Sequence, residues 1–310
     1  FLAMERVPQY KIKQDSIITT KEVTTMIKHI FLDMDGTLLN SQGTVSTKNI
    51  TVIQKSGLPT TLVSARAPIE MEPAIKQLSL TAPQIAFNGG MIFQPQSNGS
   101  IRALETHALD SQVSFQLISW LSEHYPDVCL SYYTKDSWLT TKIDTGIKIE
   151  MKLTGLKPSL TSKSALQHHA QAGIFKVMLI VLDKNILLKI QAELTNLGLT
   201  GIVVQQSGSM YLEITSQEAT KSRGLSYIVN SENLLREETA AFGDGHNDLP
   251  MLTSVGTPIV MGNALDVIKT AGKFVTKTND EDGVAYGIET YIKQTPVKLD
   301  NIEEQADSLQ

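Results

Sequence analysis

Two carboxylates one residue apart, Asp33 and Asp35, end the apolar run Ile30-Phe31-Leu32, and Gly36 and Thr37 follow them. Asp and Gly favour turns for purely local reasons, so this string alone could be an ordinary strand-to-turn junction. A second acidic stretch, Gly243-Asp244-Gly245-His246-Asn247-Asp248, changes its weight. There too an apolar segment, Thr239 to Phe242, stops at a glycine turn with two aspartates, four residues apart, where a helix begins. Asp248 alone would be a routine helix cap. Brought to one sheet edge, Asp33, Asp35, Asp244 and Asp248 would repel one another in a partly dehydrated pocket. They therefore call for a hard divalent cation, and an all-oxygen ligand set points to magnesium. Lys221 adds one positive charge from the first turn of a helix, a poor place for a cation because the helix dipole is positive there. Such local conflicts concentrate at functional sites. The negative charge still in excess favours protonation of one aspartate, and a protonated carboxyl is a general acid.

The elements that must position these groups follow from periodicity. The run before Asp33 reads as a buried strand, which leaves the two carboxylates at the carboxyl edge of a sheet. Ser46 to Lys55, with Gly57 after it, reads as a helix. Thr60 to Val63 is a second core strand delivering Ser64, Ala65 and Arg66 to the same edge, ahead of a helix from Pro68 to about Leu78. Ser64 either offers a hydroxyl to a ligand or caps that helix. Asn88, Gly89 and Gly90 halt another short strand, where the glycines allow close backbone approach to a ligand or open a hairpin at Met91 to Phe93. From 107 to 210 the rhythm changes to a second α/β unit, with a helix over Ser111 to His124, a strand or hairpin over Val128 to Thr140 and an apolar strand over Gly173 to Leu182. No catalytic motif stands out within it, and the adjacent His168 and His169 point apart on a helix, as a surface pair does. The core resumes over 211–293, with a strand at Pro258 to Met261, a helix from Ala264, a strand near Phe274-Val275 and a loop from Thr278 to Ala285. The expected fold is α/β, a Rossmann-like parallel-sheet core over 26–106 and 211–293 with an inserted α/β unit. Residues 1–25 read as an extension and 294–310 as a polar tail.

Composition narrows the function. The chain has 310 residues, 41% hydrophobic and 19% charged, which suits one large or two medium domains. Its formal charge of -5 and lack of a dense Lys/Arg run argue against nucleic acid, so small solutes are the expected partners. Cys129, the single cysteine, cannot form an internal disulfide, and no apolar run reaches the ~20 residues that span a bilayer. A cytoplasmic protein without a membrane partner is expected.

These stretches together resemble the haloacid dehalogenase superfamily, and most of all its Cof-type sugar-phosphatase branch. The resemblance rests on Asp33-Met34-Asp35-Gly36-Thr37, Ser64, Lys221 and Gly243 to Asp248, supported by Asn88-Gly89 and by Thr278 to Val284, and it covers residues 26 to about 293. Two departures stand out. Ser64-Ala65-Arg66 replaces the branch's usual Thr-Gly-Arg, and Ser222-Arg223 follows Lys221 where a glycine is common. The resemblance implies a magnesium-dependent phosphatase acting on a small phosphorylated metabolite, with the unit at 107–210 as a cap. It makes Asp33 the nucleophile of an aspartyl-phosphate and Asp35 the acid and base. Magnesium would be held by Asp33, the Asp35 backbone carbonyl and Asp244, with Asp248 ordering the site. Ser64, Lys221 and the backbone at Gly36 would bind the phosphoryl group, and Arg66, Asn88, Gly89 and Asn247 would contact the substrate. The rival functions are a phosphomutase or other phosphotransferase, and a non-catalytic binder of phosphometabolites.

Overall fold

The computed structural model describes residues 26–292. The extension expected over 1–25 and the tail expected over 294–310 lie outside the described residues. In chain order the elements begin with β1 (His29–Leu32), α1 (Thr47–Ser56), β2 (Thr60–Leu62), α2 (Pro68–Leu78), β3 (Gln84–Ala86), β4 (Met91–Pro95) and β5 (Ile101–Thr106). Then come α3 (Ser111–His124), β6 (Cys129–Tyr133), β7 (Trp138–Thr140), α4 (Thr145–Thr154), β8 (Ser159–Leu160), α5 (Leu166–Ala172) and β9 (Lys176–Ile180). After α6 (Lys184–Asn196), β10 (Ile202–Ser207) and β11 (Tyr211–Ser216) the chain forms α7 (Lys221–Ser231), β12 (Thr239–Gly243) and α8 (Leu249–Ser254). It ends in β13 (Thr257–Val260), α9 (Asp266–Lys269), β14 (Phe274–Val275) and α10 (Gly283–Tyr291).

The core sheet has the order β14-β13-β12-β1-β2 and every pairing in it is parallel. Side chains alternate across a strand, and β1 divides accordingly. Ile30 and Leu32 join the apolar cluster holding Ile53, Met71 and Ile288, while Phe31 joins Leu225, Ile228 and Met251 on the other face. Helices thus cover both faces, as a purely parallel sheet requires. This is the α/β architecture expected from sequence.

The inserted unit is a second sheet of order β10-β11-β9-β6-β7-β8. Its Val177, Leu179, Leu212 and Ile214 pack with Leu117, Leu187 and Ile190 of its helices. Alternate residues, Met178 and Ile180 among them, turn to the opposite face and continue into the core cluster with Phe87 and Phe93. One boundary needs correcting. Tyr211–Ser216 is paired along its length with β10 and along most of it with β9, so the break expected between 210 and 211 cuts through a hairpin, and the inserted sheet runs on to Ser216. The loop expected over Thr278 to Ala285 is also shorter: Gly283 already starts α10, whose Val284, Ala285 and Ile288 are buried. No helix among the described residues is long and apolar enough to cross a membrane.

Candidate active site

Three neighbouring strands of the core sheet end at one edge and bring the acidic stretches together. Leu32 is in register with Leu62 on one side and Phe242 on the other, so Asp33, Ser64 and Asp244 emerge side by side just beyond. The Asp33 N–H donates to the Phe242 carbonyl (3.0 Å) and the Val63 N–H to the Leu32 carbonyl (2.8 Å), which fixes the three ends. After Asp33 the chain turns through Gly36 at φ 82°, against which the Asp244 carboxylate packs so closely that a Cβ would overlap it. The Thr37 hydroxyl donates to Asp244 Oδ1 (2.8 Å), and Asn263 Nδ2 to the Gly36 carbonyl (2.8 Å).

Lys221 is the first residue of α7 and is buried, with the Thr220 hydroxyl capping the helix through the Arg223 N–H. Its ammonium donates to Asp33 Oδ1 and, at 2.7 Å, to Asp248 Oδ1. The other Asp248 oxygen accepts the N–H groups of Asp244 (3.0 Å) and Gly245 (2.9 Å). Asp248 is thereby committed on both oxygens to holding Lys221 and the turn that carries Asp244.

Oxygens of Asp33, Asp244 and Asp248 all lie within 4.8 Å of one another. Burial pushes the Asp33 carboxyl well above its ordinary value; Lys221 opposes this, and the negative charges of Asp248 and Asp244 add to it. Burial likewise raises Asp244, against the Thr37 hydrogen bond. Burial works against the charge on Lys221, yet Asp33 and Asp248 overcome it and hold the ammonium above the usual lysine value. Even with Lys221 in place, then, the cluster favours more positive charge than the chain supplies. An all-oxygen set of this kind suits a hard cation such as magnesium.

Asp35 lies apart from that cluster. Its carboxylate is half-exposed and accepts a two-pronged bond from Arg66, Nε to Oδ2 at 2.8 Å and Nη2 to Oδ1 at 2.6 Å. Arg66, expected as a substrate contact, is thus engaged with Asp35. Burial lowers the arginine's pKa but the bond to Asp35 outweighs it, so the guanidinium stays charged. The buried Ser64 hydroxyl accepts the Arg66 N–H (3.1 Å), which also fits its role as a turn cap.

The other expected contacts divide. Asn88, at φ 55°, donates its N–H to the Ser64 carbonyl (2.8 Å), and its Oδ1 is buried without a hydrogen-bond partner. Gly89, at φ 99°, backs onto the Thr220 backbone, where a Cβ would overlap the carbonyl oxygen; its close approach is to the start of α7. Asn247 packs on the Gly245 turn, its Oδ1 2.6 Å from where a Gly245 Cβ would stand.

Beside Asp35 a cavity of about 250 Å3 opens between the core and the inserted sheet, lined by Arg66, Glu70, Glu150, Lys176 and Glu213 among others. Sequence reasoning missed the last four. The signal was Lys176, a charge at the start of an otherwise apolar strand. Thr37 was missed as well, although it stood inside the quoted motif. A larger hollow of about 710 Å3, lined by Gln54, Thr60 and Glu232, contains none of the clustered carboxylates.

The sequence profile of the haloacid dehalogenase-like hydrolase family matches residues 30–288, and the chain belongs to that family. A Bacillus subtilis protein named 5-amino-6-(5-phospho-D-ribitylamino)uracil phosphatase YwtE is 28% identical over 284 residues, covering 85% of this chain and 97% of its own. Phosphatase YwpJ of the same organism is 28% identical over 283 residues, covering 84% and 98%. The crystal structure of a haloacid dehalogenase-like hydrolase from Bacteroides thetaiotaomicron superimposes with a TM-score of 0.75 at 28% identity, covering 85% of this chain and 98% of that one.

Proposed function

We propose that this phosphoric monoester hydrolase uses magnesium to hydrolyse a small phosphorylated metabolite, a sugar or polyol phosphate, through an aspartyl-phosphate on Asp33. The observation that carries the reading is the meeting of Asp33, Lys221, Asp244 and Asp248, drawn from segments about two hundred positions apart, around one group of oxygens. The sugar-like substrate has separate support in the name of the relative that acts on a phosphorylated ribityl compound.

In this reading an Asp33 oxygen attacks phosphorus while the bond from phosphorus to the leaving oxygen breaks. Asp35 gives that oxygen its proton, then takes one from the water that attacks the phosphoryl-aspartate, releasing phosphate and restoring Asp33. Lys221 and the Ser64 hydroxyl hold the phosphoryl oxygens, and Lys221 offsets charge as it develops. Asp33, the Asp35 carbonyl and Asp244 would hold magnesium, with Asp248 fixing their arrangement; bound there, it supplies further charge neutralisation beside the phosphoryl group. Before it can act as an acid, Asp35 must gain a proton and loosen its bond to Arg66.

Asp33→Asn should abolish phosphate release from a panel of sugar phosphates with magnesium and leave the melting temperature within a few degrees of wild type, because asparagine is equal in size, removes one buried charge from three crowded carboxylates and leaves Lys221 its bond to Asp248. Near-normal hydrolysis by that variant would remove Asp33 as the nucleophile.

A further inference from the structure

The face of the inserted sheet that looks toward the core is apolar along Met178 and Ile180 but becomes charged above Asp35. In register terms Lys176 shares the face of Met178, and Glu213 is the partner of Met178 on the next strand. Glu150 comes from α4 on the same side and accepts a hydrogen bond from the Tyr211 hydroxyl (2.9 Å). Lys176 is only 5% exposed, and its ammonium donates to the Ala65 carbonyl (3.3 Å) and lies 4.7 Å above the Tyr133 ring. An ammonium has three donors, so this lysine keeps donors for another partner. Burying such groups is unfavourable unless they are paired, and a plain packing surface between two domains would use apolar side chains here.

The charge balance says what the pairing partner is. Asp35, Glu70, Glu150 and Glu213 line the cavity against Arg66 and Lys176, so carboxylates outnumber cations. A ligand entering beside Asp35 meets acceptors on several sides and one buried donor. Neutral hydroxyls satisfy both, whereas a second anion would face several carboxylates at low dielectric. The volume of about 250 Å3 lies just below the range of drug-sized pockets and suits a short chain of such groups.

We propose that Lys176, Glu150 and Glu213 read the leaving group: they bond neighbouring hydroxyls of a neutral polyol and reject leaving groups bearing a second phosphate or a carboxylate. This rests on the phosphatase reading of the neighbouring site.

The test measures kcat and KM of the full chain with magnesium on ribitol phosphate, fructose bisphosphate, phosphoglycerate and p-nitrophenyl phosphate. Wild type should favour ribitol phosphate over the two esters whose leaving group carries a second anionic group by roughly tenfold or more in kcat/KM, the scale set by one charged hydrogen bond gained or one left unmade. Glu213→Gln, nearly equal in shape and on a partly exposed residue, should narrow that preference several-fold, mainly by raising KM for ribitol phosphate and lowering it for fructose bisphosphate and phosphoglycerate. Lys176→Met should raise KM for ribitol phosphate more than for p-nitrophenyl phosphate, which has no hydroxyl for the lysine to reach. A wild type that hydrolyses p-nitrophenyl phosphate yet turns over fructose bisphosphate or phosphoglycerate as well as ribitol phosphate overturns the inference alone. An unchanged preference in a folded Glu213→Gln does the same. A wild type inactive on all four esters overturns the phosphatase reading and this inference with it.

Discussion

At the scale of single residues, most of the site is explained by what each charge is bonded to. Lys221 stands at the positive end of a helix, where a cation is disfavoured, and its ion pairs with Asp33 and Asp248 reverse that preference. Asp35 and Arg66 form a separate pair facing the cavity. A buried histidine lies away from the chemistry. His29 on β1 has no exposed surface and bonds Thr61 Oγ1 and Glu232 Oε2, both at 2.9 Å. Burial holds its pKa below the ordinary histidine value, although Glu232 pulls it upward. A group whose folded pKa is lowered binds protons more readily when unfolded, so stability falls as pH drops through the ordinary histidine range toward the folded value. His29→Gln should therefore melt below wild type at pH about 7.5, with the gap narrowing toward pH about 5.5 as wild type loses the advantage of a neutral histidine. Melting curves across that range check this; a gap constant with pH would show that His29 does not titrate on unfolding.

At the scale of elements, the turn at Gly89 links the edge of the sheet to the start of α7, and so to Lys221. Gly89→Ala meets both a left-handed φ of 99° and the Thr220 carbonyl, and α7 must shift to admit the methyl. Gly43, at φ 73° with open space around it, meets only the backbone cost. Both alanine variants should lose about 1 kcal/mol or more of stability. Only Gly89→Ala should also lose activity, by an order of magnitude or so, because small misplacements of catalytic groups cost that much. Equal activity in the two variants would detach the turn from Lys221 positioning. The same elements show what a sequence reveals. The helix over Ser111–His124 is expected and found, because its apolar spacing is regular and Asp110 caps it through the Gln112 and Val113 N–H groups. The start of α10 is hidden behind Asn279, Asp280 and Asp282, residues that read as a loop, with Asp282 at a left-handed φ of 59°. The end of the inserted unit is hidden for another reason: residues 202–214 read as strand, turn and strand, but that pattern does not show how far the inserted sheet extends. That is decided by pairing with β9, some thirty positions earlier.

At the scale of the whole molecule, function depends on two assemblies. The parallel core gathers distant stretches at one edge, and this was legible because each acidic turn follows an apolar strand and Lys221 opposes its local preference. The inserted unit closes over that edge: Phe175 stacks on Phe87 with ring centroids 5.1 Å apart, and Lys176 reaches the Ala65 carbonyl. Its contribution left one signal, Lys176 at the start of an apolar strand, and that charge acquires meaning only when the facing surface is known. Likewise the bond from Arg66 to Asp35 joins residues on different strand ends, and spacing alone gave Arg66 no partner. The central claim, that Asp33 accepts the phosphoryl group at this assembled edge, is tested most directly by trapping. Wild-type protein turning over its best sugar phosphate with magnesium is quenched in acid and digested, and the peptide containing Asp33 is analysed by mass spectrometry. A phosphoryl adduct on Asp33, absent in Asp33→Asn, is the expected result; rapid release of phosphate with the adduct on another residue would contradict the account.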